Sequence, residues 1–235
     1  MPEYIHSHAS EKKLVDQVRQ LVFGLGHGLI SILGLSIGVT SATGNPRTVA
    51  ITGVVGTLTG LATLIALQYL SAKTQKEIYQ RMIEEERKEF DEEPEVEKME
   101  MRKYYIEEGF NAEEADAFVN RLSSDKDRWL KAHITHILEF IPSKTVNPLK
   151  ESITLGLSHL LGATIALLPY LVLNNLDSAA YSSILLASIT LLIAGGLKAK
   201  ATGGKWYVSA AEFFVLGMVA FAAGYLVGVA LKGFA

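Results

Sequence analysis

The 235-residue chain contains no cysteine. This absence excludes a disulfide framework, a thiolate metal site and a cysteine nucleophile. An excess of basic residues is also lacking, because 22 lysines and arginines stand against 25 acidic residues. A nucleic-acid partner is therefore not expected, since it requires a basic surface. Neither a phosphate-binding loop nor a nucleophile–base arrangement is found, so we expect no enzymatic activity and no tightly bound cofactor.

Charged residues are missing from five long stretches of the chain. These stretches contain no Asp, Glu, Lys or Arg and cover residues 20–46, 48–72, 152–176, 178–197 and 213–231. A helix needs about 20 mostly apolar residues to cross the hydrocarbon core of a bilayer. The pattern thus predicts an all-α protein, a five-span transmembrane helical bundle embedded in a lipid bilayer. We place its spans near residues 21–43, 48–72, 152–174, 179–198 and 206–231.

Lysine and arginine in the short flanks predict the orientation of this bundle. Residues 12–19 and residues 198–205 each contain three of them. Because cytoplasmic flanks carry such an excess, we expect the N-terminus and the charged block in the cytoplasm and the C-terminus on the other side. The polar start and the length of the first apolar stretch argue against a cleaved signal peptide.

The charge of the chain is concentrated between the second and third spans, where residues 73–151 hold 34 of the 47 charged residues. The second span continues without a helix breaker to residue 90, and Pro94 suits the first turn of a new helix. Gly109 suits a helix end, while Asn111 with Glu114 and Ser124 with Asp127 are typical helix starts. We therefore predict short helices near residues 95–108, 112–122 and 125–140. The predicted domains are a cytoplasmic N-terminal tail (1–20), transmembrane helices 1–2 (21–72), a cytoplasmic acidic helical metal-binding domain (73–150) and transmembrane helices 3–5 (151–235).

Acidic residues in the charged block recur three positions apart, a spacing that places side chains next to each other on a helix. The two pairs are Glu86 with Glu89 and Glu97 with Glu100. Carboxylates that face one another repel unless a cation neutralises them, and such sites suit Fe²⁺ or Mn²⁺. The last helix adds, at the same spacing, ligand types that suit iron, zinc or cobalt: His133, His136 and Glu139. On spacing alone, a solvated face with interleaved lysine and arginine explains the pattern at least as well.

Polar side chains inside the predicted spans cost free energy unless they face protein or water. The candidates are His27, Gln68, His159 and Glu212. For His27, a ligand on a transport pathway and a helix-to-helix hydrogen bond both remain open. For His159, whose neighbours are leucine and glycine, we favour a packing role. Glycines four residues apart predict close helix packing, and they are Gly24/Gly28, Gly34/Gly38, Gly56/Gly60 and Gly224/Gly228.

The chain resembles the vacuolar iron transporters and their microbial relatives over roughly residues 20–232. Single motifs are weak signals, whereas their order together with five spans is specific. The motifs are Gly60–Leu61–Ala62 through Tyr69–Leu70–Ser71, Gln75–Lys76–Glu77, Glu86–Arg87–Lys88–Glu89, Pro94–Glu95, the stretch from Tyr105 to Gly109, Leu167–Leu168–Pro169–Tyr170, and Gly217, Tyr225 and Gly228.

The resemblance implies a homodimer that exports ferrous iron, and often manganese, from the cytoplasm in exchange for protons, along a pathway between the two subunits. It also implies that the cytoplasmic metal ligands of the family fall on Glu86, Glu89, Glu97 and Glu100. Two methionines and a glutamate of the family correspond to Thr135, His136 and Glu139, so His136 and Glu139 complete the expected ligand set.

Three positions in the membrane spans depart from the family pattern. His27–Gly28 stands where the family has an aspartate before a glycine, Leu64 replaces a methionine, and Gln68 replaces a glutamate. The loss of fixed negative charge weakens the hold on a divalent cation. His27 offers a substitute, because imidazole binds metal when neutral and repels it when protonated near neutral pH. We therefore expect His27 and Gln68 to line the transport pathway.

The leading hypothesis is a homodimeric transporter in the cell membrane of a microbe or in a vacuole-type membrane. It moves Fe²⁺ or Mn²⁺, with Zn²⁺ and Co²⁺ as further candidates, out of the cytoplasm by proton exchange. The alternative is a non-transporting paralogue that acts as a membrane-anchored metal sensor or buffer, motivated by the missing membrane ligands. A membrane enzyme of the di-iron carboxylate type ranks last, because neither His133 nor His136 has a glutamate three positions before it.

Overall fold

The computed structural model describes residues 3–136 and 147–233, with side chains from residue 18 onward. Within these ranges the chain forms eight helices and no strand, which confirms the predicted all-α class for the described residues. The helices are α1 (Glu3–Thr43), α2 (Pro46–Glu92), α3 (Pro94–Glu107), α4 (Ala112–Ser123), α5 (Lys126–His136), α6 (Pro148–Val172), α7 (Leu176–Thr202) and α8 (Trp206–Leu231).

The chain divides into two compact units. Unit 1 comprises Met1–Leu70 and Pro148–Ala235, and unit 2 comprises Ser71–Asn147. The boundary falls inside α2, whose 47 residues correspond to a length of about 70 Å, more than twice the hydrocarbon thickness of a bilayer. Unit 1 therefore holds α1, the first part of α2 and α6 to α8, whereas unit 2 holds the rest of α2 and α3 to α5.

Five helices are long and apolar enough to cross a membrane, as the charge-free stretches predict. These segments are Val18–Thr43, Pro46–Glu92, Pro148–Val172, Leu176–Thr202 and Trp206–Leu231. The number of spans is thereby confirmed by length and composition. The first helix is longer than its predicted span, because α1 already begins at Glu3 and includes residues expected to form a tail.

Unit 1 is organised around α1, which packs against α6, α7 and α8. Small residues permit these contacts, since a Cβ atom added at Gly28 would overlap the carbonyl oxygen of His159 on α6. On the α8 side, a Cβ atom at Gly34 would lie 3.0 Å from the carbonyl oxygen of Ala220, and one at Gly38 3.0 Å from that of Gly224. The prediction that the glycine pairs of α1 mark close helix packing is thus confirmed.

The outer helices of unit 1 keep much of their apolar surface exposed. Only 17% of the apolar window of α2 and 11% of that of α8 are buried within the chain, against 50% for α1. Apolar surface of this extent on a helix is suited to contact with lipid or with another membrane helix.

Unit 2 has its own hydrophobic core. Its buried side chains are Phe90, Met101, Tyr105, Ala115, Val119, Trp129, Leu130 and Ile134. Helix α4 begins with the predicted capping box, because the Asn111 side chain accepts a hydrogen bond from the Glu114 N–H and the Glu114 side chain accepts one from the Asn111 N–H. Gly109 has φ +99° just after α3, as its predicted role at a helix end requires.

The predicted N-terminal capping residue of α5, Ser124, is wrong by one position. The Asp125 carboxylate accepts the hydrogen bond from the Arg128 N–H at 3.1 Å. The Ser124 hydroxyl instead donates to the carbonyl of Arg121 in the last turn of α4, so it is not available to cap α5. The predicted end of this helix at residue 140 lies outside the described residues.

Candidate metal centre

Three side chains of unit 2 bring their ligand atoms together. Glu86 on α2, Glu97 on α3 and His133 on α5 each offer one nitrogen or oxygen atom, and all three atoms lie within 4.8 Å of one another. His133 Nδ1 lies 3.2 Å from a Glu97 carboxylate oxygen, and His133 Nε2 lies 3.7 Å from one of Glu86. This set, called the carboxylate–histidine group below, contains two oxygen ligands and one nitrogen ligand.

The core of unit 2 positions each member of this group. Each ligand lies four residues from a buried core side chain on the same helix: Glu86 from Phe90, Glu97 from Met101 and His133 from Trp129. Residues four apart share a helix face, so packing of the core side chains turns the ligands towards one another. The Phe90 and Trp129 rings are 4.2 Å apart between centroids, and the His133 ring meets Phe90 edge-on at 5.2 Å.

The ligand atoms are buried but do not form hydrogen bonds with one another. Within the described part of the chain, no hydrogen-bond partner is found for Oε2 of Glu86, Oε2 of Glu97 or Nδ1 of His133. The contact of 3.2 Å between His133 and Glu97 therefore lacks hydrogen-bond alignment. Buried polar atoms without a partner are costly, and a cation held by this group would give the buried carboxylate oxygens a partner.

Burial and mutual repulsion disfavour charge in this group. Burial, followed by the nearby carboxylates of Glu86 and Glu100, raises the pKa of Glu97 to about 7. Burial likewise raises the pKa of Glu86, with further contributions from Glu89 and Glu100. The pKa of His133 is lowered by burial, and the charge of Glu100 opposes that shift. A divalent cation would supply the missing positive charge, so the group can exchange protons for metal.

The other predicted ligands of unit 2 occupy different surroundings. Glu100 has an exposed side chain whose carboxylate lies 3.7 Å from His133 Nε2, and Glu89 is exposed but close enough to affect Glu86 and Glu97 electrostatically. His136 is exposed, with its Nδ1 3.4 Å from the Tyr104 hydroxyl, and it does not belong to the group. Glu139 lies outside the described residues.

His133 is the member of the group that the expected ligand set omits. Its spacing from His136 and Glu139 marked it as a candidate, but the resemblance favoured the position of His136. The apolar pattern of α5 distinguishes the two histidines, because His133 is four residues from Trp129 and shares its helix face. In the structure Trp129 lies in the core and His133 is 1% exposed.

The predicted pathway residues of unit 1 make two separate contacts. Nδ1 of His27 on α1 lies 3.1 Å from Nδ1 of His159 on α6. Gln68 on α2 donates a hydrogen bond from Nε2 to a Glu151 carboxylate oxygen on α6 at 3.1 Å. The pairing of His27 with His159 brings together two histidines for which the sequence suggested different roles.

Glu212, the fourth polar candidate in the spans, has a cationic partner. Its carboxylate lies 2.8 Å from the Lys198 ammonium, with both side chains partly exposed. An exposed ion pair of this kind contributes little to stability. The pair lies near the ends of α7 and α8 and satisfies Glu212 without a ligand.

Comparisons with known proteins agree on one group of relatives. A family model described as the VIT family matches residues 18–229. Vacuolar iron transporter 2 of Oryza sativa subsp. japonica is 26% identical over 234 residues, covering 95% of each chain. Vacuolar iron transporter 1 of Arabidopsis thaliana is 27% identical over 220 residues, covering 93% of this chain and 88% of its own. Protein CCC1 of Saccharomyces cerevisiae is 24% identical over 213 residues, covering 86% of this chain and 65% of its own.

Proposed function

Because this chain belongs to the VIT family, we propose that it is an integral membrane protein that transports divalent metal ions. The plant relatives are named vacuolar iron transporters, which supports iron as one substrate. The observation that carries the proposal is the carboxylate–histidine group, in which Glu86, Glu97 and His133 converge in a chain with five helices suited to crossing a membrane. The expected alternative, a sensor or buffer without transport, is not favoured by relatives that are named as transporters.

In this proposal, unit 2 captures the ion through the carboxylate–histidine group. Two carboxylates and one imidazole suit Fe²⁺ and Mn²⁺ and also accept Zn²⁺ or Co²⁺, because the set mixes hard oxygen with borderline nitrogen. The exposed carboxylate of Glu100, close to His133, provides a further ligand, and Glu89 adds negative charge beside it. His136 and Glu139 remain proposed ligands from the family resemblance.

Protons compete with metal for the same group. The pKa of Glu97 is raised to about 7, chiefly by burial, so a bound ion must displace a proton from part of the protein molecules at neutral pH. Metal affinity consequently rises with pH through this range, since ligand binding and proton release are linked. Exchange of metal for protons across the membrane is the transport mode that we propose.

The charge pattern supports the direction of transport that we propose, and the exposed apolar helices support the assembly. The N-terminus and the acidic domain of residues 73–150 face the cytoplasm, and the ion leaves the cytoplasm along a pathway that includes His27 and Gln68. Two copies form a homodimer, for which the exposed apolar surfaces of α2 and α8 are available. The membrane is the cell membrane of a microbe or a vacuole-type membrane.

Flux across proteoliposomes tests this function. The full chain is reconstituted, and uptake of Fe²⁺, Mn²⁺, Co²⁺ and Zn²⁺ is measured with and without an acidic vesicle interior. We expect uptake of at least one of these ions to depend on the proton gradient. Glu97→Gln should raise the metal concentration needed for half-maximal uptake, whereas Glu92→Gln removes an exposed charge outside the group and serves as the matched control. Metal binding without flux of any of the four ions would contradict transport and favour a sensor or buffer.

A further inference from the structure

Two imidazole rings meet inside unit 1. His27 is on α1 and His159 is on α6, 132 positions apart in the chain. Their Nδ1 atoms are 3.1 Å apart, and their ring centroids are 5.2 Å apart with the planes tilted by 48°. Both residues lie in helices long and apolar enough to cross a membrane. Polar side chains in such segments usually serve a ligand, a proton or a helix contact.

The surrounding glycines create the space for this pair. Added Cβ atoms at Gly28 on α1 and at Gly162 on α6 would overlap the backbone of the opposite helix. A Cβ atom at Gly60 on α2 would lie 2.7 Å from His159 Nε2. The close approach of α1 and α6 therefore brings the two rings together, and the missing side chain on α2 leaves room for the ring of His159.

Hydrogen bonding fixes which nitrogen of His159 is available. His159 is 1% exposed, and its Nε2 lies 3.3 Å from the carbonyl oxygen of Thr57. A carbonyl only accepts, so Nε2 carries the proton, and in the neutral ring Nδ1 then presents a lone pair. In the empty pair this lone pair accepts a hydrogen bond from the Nδ1–H of His27, and a metal ion takes the place of that proton when His27 carries its hydrogen on Nε2 instead. A histidine that binds a metal usually donates its other ring N–H to a carbonyl or carboxylate, as His159 does here.

We infer that His27 and His159 together bind a divalent metal ion in unit 1, as two nitrogen ligands contributed by α1 and α6. An ion about 2.05 Å from both nitrogens, a typical Zn–N distance, would make an N–metal–N angle of about 98° at the observed separation. This angle lies between the octahedral and tetrahedral values, so the two rings can serve one ion. The inference rests on the proposed function, because it supplies that pathway with a binding site.

The chemistry of the pair favours some substrates over others. Imidazole nitrogens prefer borderline ions such as Zn²⁺, Co²⁺ and Fe²⁺, whereas Mn²⁺ and Mg²⁺ prefer oxygen ligands. Two neutral rings hold the ion without a fixed negative charge, and the remaining coordination positions are left for water. A site of this kind binds loosely enough to release its ion again, as a transport pathway requires.

Cobalt binding to the full chain in detergent, at pH 8, tests the inference. The background carries Glu97→Gln and His133→Gln, which disable the carboxylate–histidine group of unit 2. We expect one Co²⁺ per chain, with visible absorption bands perturbed by nitrogen ligands. His27→Gln and His159→Gln should each weaken Co²⁺ binding by about tenfold or more, as loss of a ligand group implies. Thr164→Ala, which removes an exposed hydroxyl bonded within α6, should leave the bands unchanged.

Glutamine separates a ligand from a simple helix contact. Its amide can still hydrogen-bond across α1 and α6, but it is a poor ligand for Co²⁺. Unchanged absorption bands and affinity in a folded His27→Gln protein would overturn the inference. The same result in a folded His159→Gln protein would overturn it as well.

The outcome is separable from that of the flux experiment. The site would be rejected and transport retained if the unaltered chain shows flux in proteoliposomes and neither His27→Gln nor His159→Gln changes Co²⁺ binding. Absence of flux, together with Co²⁺ binding that requires both histidines, would reject transport and retain the site.

Discussion

The raised pKa of Glu97 predicts how the stability of unit 2 depends on pH in the absence of metal. Burial and the neighbouring carboxylates raise this pKa from 4.5 to about 7. The folded state therefore binds more protons than the unfolded state between these values, and stability falls as pH rises through them. A shift of this size corresponds to a contribution of about 3 kcal/mol to the free energy of unfolding. This contribution is present in full below about pH 4.5 and is lost above about pH 7.

Substituting Glu97→Gln removes this dependence, because the amide keeps the shape of the protonated carboxyl and cannot ionise. We expect the variant to have about the same free energy of unfolding as the parent at pH 4, below both pKa values. At pH 8 the variant should be more stable by up to about 3 kcal/mol. His133 contributes with the opposite sign, since its lowered pKa makes stability fall as pH drops below its ordinary value of 6.5. The difference between parent and variant isolates the carboxyl.

Urea unfolding of the metal-free full chain in detergent measures this difference. Trp206→Phe leaves Trp129, in the core of unit 2, as the single tryptophan, so its fluorescence follows the unfolding of unit 2. A chelator removes metal, and Glu92→Gln provides a control with the same change of charge at an exposed position. Parallel stability profiles for the parent and Glu97→Gln from pH 4 to pH 8 would refute the reasoning, as would an equal gain in Glu92→Gln.

Three further predictions concern the packing and the ligand set. His133→Gln should weaken metal binding to unit 2 by about tenfold or more, whereas His136→Gln should have a much smaller effect. Calorimetric titration of the full chain with metal measures both affinities. Gly28→Ala should destabilise unit 1 by about 1–3 kcal/mol, because the added Cβ overlaps α6, and should lower the thermal midpoint in detergent. Gly196→Ala on α7 is the control and should not lower this midpoint, because an added Cβ there meets no atom within 4 Å. Asn111→Ala should cost about 1 kcal/mol of unit 2 stability in urea, and an unchanged midpoint would exclude a role for the capping box.

The membrane helices were predictable because their signal is local. A stretch of about 20 residues without charge has few alternatives to a membrane span, whatever the rest of the chain does. Glycines four residues apart, such as Gly24 and Gly28, likewise predict close helix packing, but they do not indicate which helix is the partner. The extent of α1 was less predictable, since a polar N-terminal segment offers no strong breaker to end the helix.

The candidate sites were only partly predictable because each joins distant parts of the chain. The three-residue spacing within each glutamate pair, Glu86/Glu89 and Glu97/Glu100, indicated a metal group. The choice of His133 depends on how Trp129 packs on Phe90. The contact between His27 and His159 has no local signal at all. It follows from the approach of α1 and α6, which the sequence indicates only through small residues.

The two candidate metal groups differ in a way that suits their surroundings. Carboxylates carry charge when empty, which is tolerable beside water but costly inside hydrocarbon. Unit 2 holds Glu86 and Glu97, and burial raises the pKa of both carboxyls, which lowers the negative charge of the empty group. A neutral imidazole has no charge to compensate, so His27 and His159 in that form need no counter-ion within an apolar helix bundle. If both groups bind metal, the carboxylates of unit 2 bind the ion as they release protons, and imidazole nitrogen binds it in unit 1. Under the proposed function, this division would let membrane spans that hold His27 and Gln68 accept a divalent cation.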